Sequence, residues 1–204
     1  VWERALSRGL EYAAIFEDDI HLAPDAGKLL SAASEWLPDG ADLIKLETLA
    51  MPTHVSRSGD ALMGTPHQLK RLLSSHYGAA GYIVSRRAME RLWAASDPLP
   101  LPVDDVIFGA HYRVVCGLGA YQIDPAVCVQ DQYLEGPGTE QLGIASVIYD
   151  RHASPPLTHE GKGPVRRALA GLANKMDRRR RKTRIALLKA LGRAEQKTIP
   201  FARD

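Results

Sequence analysis

Apolar positions come along the chain in short runs, some at the strand period of two and some at the helical period. Trp2, Ala5 and Leu6 share one helical face, and Gly9 is a natural stop after them. Tyr12-Ala13-Ala14-Ile15-Phe16 is a compact apolar run, read as a buried strand that halts at three carboxylates. From Asp25, the residues Leu29, Leu30, Ala33, Trp36 and Leu37 lie on one face, so a helix is expected until Pro38-Asp39-Gly40 breaks it. Asp42-Leu43-Ile44-Lys45-Leu46 is a second buried strand, and Ala79 to Val84 a third. Between them, residues 47–76 hold no regular pattern beyond a suggested hairpin around Ser58-Gly59-Asp60. Ser85 can cap the helix that follows, with Ala88, Met89, Leu92 and Trp93 facing inward. Asp97 to Pro102 is a rigid extended connector, and Asp104 can cap a short helix through Tyr112. Tyr121-Gln122-Ile123 and Val127-Cys128-Val129 flank Pro125 as strands, whereas residues 131–163 are too rich in Gly and Pro to assign. Strands alternating with helices predict an α/β domain.

The pattern changes near Pro164. Val165, Leu169, Leu172 and Met176 fall at helical spacing, then Arg178-Arg179-Arg180-Arg181-Lys182, then Ile185, Leu188 and Leu191. Two regions are therefore expected, a body over 1–163 and a basic amphipathic helical tail over 164–204. Charge follows the same division. The net +2 hides 14 Lys/Arg against 3 Asp/Glu in residues 162–204, or +11, and 12 against 21 in residues 1–161, or −9. Such a tail suits an anionic partner, and the cytoplasmic face of a membrane fits it through Arg178–Lys182. Nucleic acid is not expected, because no aromatic side chain between Pro155 and Phe201 is available for base stacking. No apolar run reaches 18 residues, and the start carries scattered charges rather than a leader pattern. It does not begin with Met, which fits a trimmed or processed chain. Cys116 and Cys128 lack any metal-finger spacing and read as buried thiols, compatible with a reducing compartment.

The strongest chemical signal is IFEDDIHL, residues 15–22. Three carboxylates at a strand end are costly unless a cation compensates. Alternate side chains there, Glu17 and Asp19, can point the same way. Hard oxygen ligands suit Mg²⁺ or Mn²⁺ with a substrate diphosphate completing the shell, while an exposed acidic turn or a helix cap remains the plain alternative. The seven histidines show no HxxxH or HExxH spacing, so zinc is not expected, and His21 stands close enough to the acidic run to support it.

YAAIFEDDI resembles the metal-binding signature of family 25 glycosyltransferases. Further features match in order: Asp42 to Leu46, Gly78 to Ser85 with its helix, Pro102-Val103-Asp104, and Val129-Gln130 through Ser146-Val147-Ile148. The resemblance covers roughly residues 1–150. It implies a GT-A-like fold, that is, a Rossmann-like mixed sheet flanked by helices. It also implies a nucleotide-sugar donor, a divalent metal, and transfer with inversion onto lipooligosaccharide, or in animals onto collagen hydroxylysine. The bacterial branch, with UDP-galactose or UDP-glucose, is the expectation. The family usually opens with an Asn-Leu and Arg-rich segment well before its acidic signature. Only 16 residues precede Glu17 here, so that N-terminal nucleotide-binding part is expected to be missing.

What the resemblance implies for the site is a metal held by Asp19 with Asp18 or Glu17, and a substrate met by Glu17, Asp18, Lys45, Tyr82 and Gln130. A carboxylate base takes the acceptor proton, with Asp104 and Asp105 as candidates and an N-cap role for Asp104 as the alternative. Lys45 meets a phosphate or is a solvated strand-end lysine. His111 and His159 are further metal ligands by fold analogy only. Two other classes stay open: a noncatalytic remnant acting through its basic tail, and a metal-dependent phosphotransferase or hydrolase using the same carboxylates.

Overall fold

A computed structural model describes residues 1–62, 64–95, 102–134 and 178–203. The first half runs α1 (Trp2–Ser7), β1 (Tyr12–Phe16), β2 (Ile20–Leu22), α2 (Ala26–Ser31), α3 (Ala33–Trp36), β3 (Leu43–Lys45), β4 (Glu47–Thr48), β5 (Pro52–Ser56), β6 (Asp60–Ala61) and β7 (Gln68–Arg71). Then come β8 (Gly81–Ser85), α4 (Arg86–Ala95), α5 (Val103–Phe108), α6 (Ala110–Val115), β9 (Ala120–Asp124), β10 (Cys128–Gln130), a helix over 178–190 labelled α7, and β11 (Ala194–Thr198).

The main sheet has the order β1-β8-β3-β9-β7-β6. The β3–β9 pair is parallel and its other ladders are antiparallel, so the sheet is mixed. Central strands bury both faces, as their unbroken apolar runs require. Leu43 and Val84 face one core with Trp2, Met89, Leu92 and Phe108, beneath α1, α4 and α5. Ile44 and Ile83 face the other with Leu29, Leu46, Leu69 and Ile123, beneath α2. The expected α/β class, a mixed sheet flanked by helices, is what the chain forms. Beside it, β2-β10-β4 make a small sheet that carries the end of the acidic run. Both cysteines are buried free thiols, and among the described residues no helix is long and apolar enough to cross a membrane.

Several local expectations change. The helix from Asp25 is two short ones, parted at Ala32. The helix expected from Asp104 through Tyr112 is broken at Gly109, where a Cβ would meet the Asp105 carbonyl oxygen at 2.0 Å. Pro102 stands at its N-cap, so Asp104 is a first-turn residue rather than a cap. Trp93 is 45% exposed rather than buried. Asp60 and Ala61 pair with Leu69 and Gln68, so the hairpin reverses after Ala61, not at Ser58-Gly59-Asp60.

The tail also differs from a plain helix. Residues 178–190 are helical, but Ala194–Thr198 pairs antiparallel with β5. Lys197 meets Asp124 at 2.6 Å and Glu195 meets Lys70 at 2.7 Å. Thr48 Oγ1 donates to the Ile199 carbonyl at 2.6 Å, and Ile199 and Ala202 are buried. The last ten described residues are thus part of the body. Val165 to Met176 and the Ser146-Val147-Ile148 segment lie outside the described residues.

Asp42 fastens three elements at the start of the central strand β3. Its buried carboxylate accepts Arg87 Nε at 2.9 Å and Nη2 at 2.6 Å from α4, and the Gly119 N–H at 2.8 Å before β9. Ser85 caps α4 as expected, its Oγ accepting the Ala88 N–H at 3.1 Å. Asp42→Ala should lower the unfolding free energy in urea by about 2–3 kcal/mol, the range for buried charge-assisted bonds. Arg86→Ala, which breaks only exposed pairs to Glu11 and Glu90, should cost under about 1 kcal/mol.

Candidate functional site

Strand β1 delivers the acidic run and β10 receives it. The Glu17 N–H still bonds the Ala80 carbonyl at 2.9 Å, as the last rung against β8. The chain then turns, and β2 pairs with β10 so that Ile20 faces Gln130 and His21 faces Val129. The Asp131 N–H closes the turn on the Asp19 carbonyl at 2.8 Å. This register brings Gln130 between two carboxylates. Its Nε2 donates to Glu17 Oε2 at 3.0 Å and to Asp19 Oδ2 at 3.2 Å. Glu17 is exposed and Asp19 only 8% exposed. Glu17 and Asp19 thus turn toward the same amide, as expected, but across the bend between β1 and β2 rather than along a strand.

Under this pair lies a buried ion pair. Lys45 Nζ donates to Glu47 Oε1 at 2.7 Å and to the carbonyls of Tyr77 and Gly78, both at 2.8 Å. Neither charged side chain is exposed at all. Lys45 also stands 4.6 Å from the Phe108 ring centre. Burial pulls the Lys45 pKa below its usual value, against the opposing pull of Glu47. Glu47 accepts the Ala80 N–H at 2.9 Å, and its Oε2 has no hydrogen-bond partner among the described residues. Gly78, at φ +79°, fits because a Cβ there would stand 2.9 Å from the Glu47 carboxylate oxygens. Its N–H bonds Asp104 Oδ2 at 3.2 Å.

The carboxylates feel one another. The Glu17 pKa is raised, first by desolvation and then by the charges of Asp19, Glu47, Asp104 and Asp18. Asp18, exposed, contributes least to that shift. Burial and the neighbouring Asp104 charge raise the Asp105 pKa too. A cleft of about 310 Å³ opens beside Glu17, walled by Trp2, Phe16, Ala79, Tyr82, Trp93 and Val103 among others. Tyr82 is buried there, its hydroxyl accepting Trp2 Nε1–H at 3.0 Å, and burial pushes its pKa up to about 12.

The structure therefore gathers Glu17, Asp19, Gln130 and Asp104. Lys45, expected to reach a substrate phosphate or solvent, is instead fully buried with its donors committed to Glu47 and two carbonyls. Tyr82 walls the cleft rather than offering a free hydroxyl. His21 bonds Asp131 at 2.7 Å, beside the acidic turn. His159 and the His111 side chain lie outside the description. Glu47 went unnoticed in the sequence, although Lys45-x-Glu47 places both residues on one face of an extended strand. Among the described residues, no three His, Cys, Asp or Glu side chains are arranged around a metal position. Two convergent carboxylates with an open front still suit a hard cation that keeps water and phosphate ligands, rather than one caged by protein.

Residues 1–107 match the model of a family described as glycosyltransferase family 25 (LPS biosynthesis protein). The chain is 33% identical to the lacto-N-neotetraose biosynthesis glycosyltransferase LgtB of Neisseria meningitidis serogroup B, over 98% of this chain and 74% of that protein. It is 36% identical to LgtE of the same organism, over 64% of this chain and 49% of LgtE. It is 30% identical to the lipooligosaccharide biosynthesis protein lex-1 of Haemophilus influenzae, over 64% of this chain and 46% of that protein.

A carboxyl whose pKa folding raises binds its proton more tightly in the folded state, so stability falls as pH rises through its range. Glu17→Gln should therefore raise the urea midpoint at about pH 8, and the gain should fade as the wild-type group protonates toward about pH 3. A gain that grows on acidification would contradict the raised pKa.

Proposed function

The chain belongs to glycosyltransferase family 25, and from that premise we propose that it moves a hexose, galactose or glucose, from a UDP-sugar to a lipooligosaccharide or related bacterial surface glycan. Membership makes it a transferase. The donor, the acceptor, the metal and the inverting course are our reading, as is a GT-A-like description of the sheet. The observation that carries the reading is the convergence of Glu17 and Asp19 on Gln130 at the mouth of an aromatic cleft.

A site with Glu17, Asp19, Glu47 and Asp104 together repels a bare diphosphate, so a divalent cation is the natural intermediary. When bound, Mn²⁺ or Mg²⁺ supplies Lewis-acid compensation for the charge that grows on the departing UDP. Asp19 is the inner holder, fixed by the β2–β10 register, and Glu17 the outer one. Gln130 keeps the two carboxylates together by donating to both. Trp2, Tyr82 and Trp93 offer apolar faces to a sugar or base, as ligand clefts commonly do.

Asp104 is the better candidate base. Its Oδ2 is held by the Gly78 N–H, which leaves Oδ1 to take the proton of the attacking hydroxyl. Its charge acts on Glu17, whereas Asp105 acts on Tyr112 instead, about 100° away on α5. Lys45 works from below, holding the Tyr77 and Gly78 carbonyls and so the loop that steadies Asp104. The same reading puts the protein at the cytoplasmic face of a membrane, with the +11 C-terminal region as its contact.

Transfer or hydrolysis of UDP-galactose and UDP-glucose with Mn²⁺ tests this. Asp19→Ala should lower turnover by roughly 10²–10³-fold. Asp104→Asn should cost roughly 10²–10⁴-fold in kcat, and Asp105→Asn little. Wild-type turnover in Asp19→Ala would remove Asp19 from the mechanism, and a loss confined to Asp105→Asn would move the base.

A further inference from the structure

A second recess, of about 350 Å³, lies between α7 and the β7–α6–β9 part of the body. It shares no lining residue with the cleft beside Glu17. Arg71, Arg113, Arg181 and Arg184 line it together with apolar side chains, and no carboxylate does among the described residues. Arg113 is only 7% exposed. Its Nη1 donates to the Leu72 carbonyl at 3.0 Å and its Nη2 to the Ser74 carbonyl, but its Nε has no partner among the described residues. Burial and the Arg181 charge bring the Arg113 pKa down to about 10. A buried guanidinium beside another, with its Nε unpaired and no acid facing it among the described residues, has the chemistry of an anion site.

The surroundings narrow the anion's class. Val114 lines the recess and is 58% exposed, and its neighbour Val115 on α6 is 65% exposed. Cations flanked by bare aliphatic side chains match the boundary between lipid headgroups and chains. The basic run is also divided by helical phase. Arg181, Arg184, Ile185 and Leu188 face the recess, while Arg179 and Lys182 fall on the other side of α7.

We propose that this recess binds the phosphate of an anionic membrane lipid, with Arg71, Arg113 and Arg184 as donors and the exposed Val114 and Val115 entering the headgroup boundary. The site rests on the membrane-contact part of the reading above and is independent of the transfer chemistry.

The test is co-sedimentation of the full chain with vesicles of equal parts phosphatidylglycerol and phosphatidylcholine, against phosphatidylcholine alone. Arg71→Gln with Arg184→Gln, both exposed, should weaken binding about 30-fold, near fivefold per charge. Arg179→Gln with Lys182→Gln should weaken it less than about fivefold. Val115→Asp should weaken it with all arginines intact. Circular dichroism should show each variant folded. Equal losses in the two paired variants would overturn the recess while leaving general membrane contact standing. Failure of the unaltered chain to bind anionic vesicles would overturn both. Thermal stabilisation by inorganic phosphate without vesicle binding would overturn the lipid and leave a free-phosphate pocket.

Discussion

The buried Lys45–Glu47 pair is the constraint on which the rest of the site depends. Two full charges with no exposed side-chain surface survive in a protein interior only when geometry and extra hydrogen bonds repay their desolvation. Here the repayment is specific. Lys45 spends its remaining donors on the Tyr77 and Gly78 carbonyls, and Glu47 takes the Ala80 N–H. The segment from Tyr77 to Ala80 is thereby held against β3 and β4. That segment in turn offers the Gly78 N–H to Asp104 and the Ala80 carbonyl to Glu17. Every carboxylate of the candidate site is placed through the floor beneath it or through the β2–β10 register beside it.

This arrangement also sets the electrostatics. One buried cation under four carboxylates leaves the mouth of the cleft negative, and the Glu17 pKa is raised by desolvation first and by these neighbouring charges second. Such a site is poised for a cation and hostile to a bare phosphate. The opposite end of the charge distribution is the arginine recess beneath α7, built for an anion. The recess joins Arg71 and Arg113 of the acidic body to Arg181 and Arg184 of the basic region, so the two places with opposite demands do not simply follow the −9 and +11 divisions of the sequence.

Much of this was legible in the sequence. Tyr12–Phe16 is a strand at the bounds its apolar run marks, and the acidic run begins where that strand ends. Ser85 caps the helix after the central strand because its hydroxyl stands where a free N–H needs it. Other parts carried no local signal. β11 reads Ala-Glu-Gln-Lys-Thr and buries only Ala194 well; as an edge strand it is fixed by backbone pairing and by Lys70 and Asp124, distant in sequence. Glu47 looked like the start of an irregular stretch because β4 to β7 are short and largely polar. Asp104 and Asp105 could not be separated before the phase of α5 was known. Gln130 rested on family resemblance alone, since only the register of β10 against β2 brings its amide to the acidic turn.

The most direct measurement is turnover of a UDP-hexose by a folded Lys45→Met/Glu47→Leu double variant. Each single substitution strands one buried charge and should cost about 3–5 kcal/mol of stability, while the double should recover most of that loss. The account predicts a stable double variant with turnover greatly reduced, because the Tyr77–Ala80 segment has lost its anchor and the carboxylates their spacing. A double variant that folds and turns over donor at the wild-type rate would contradict it, and would reduce the buried pair to packing.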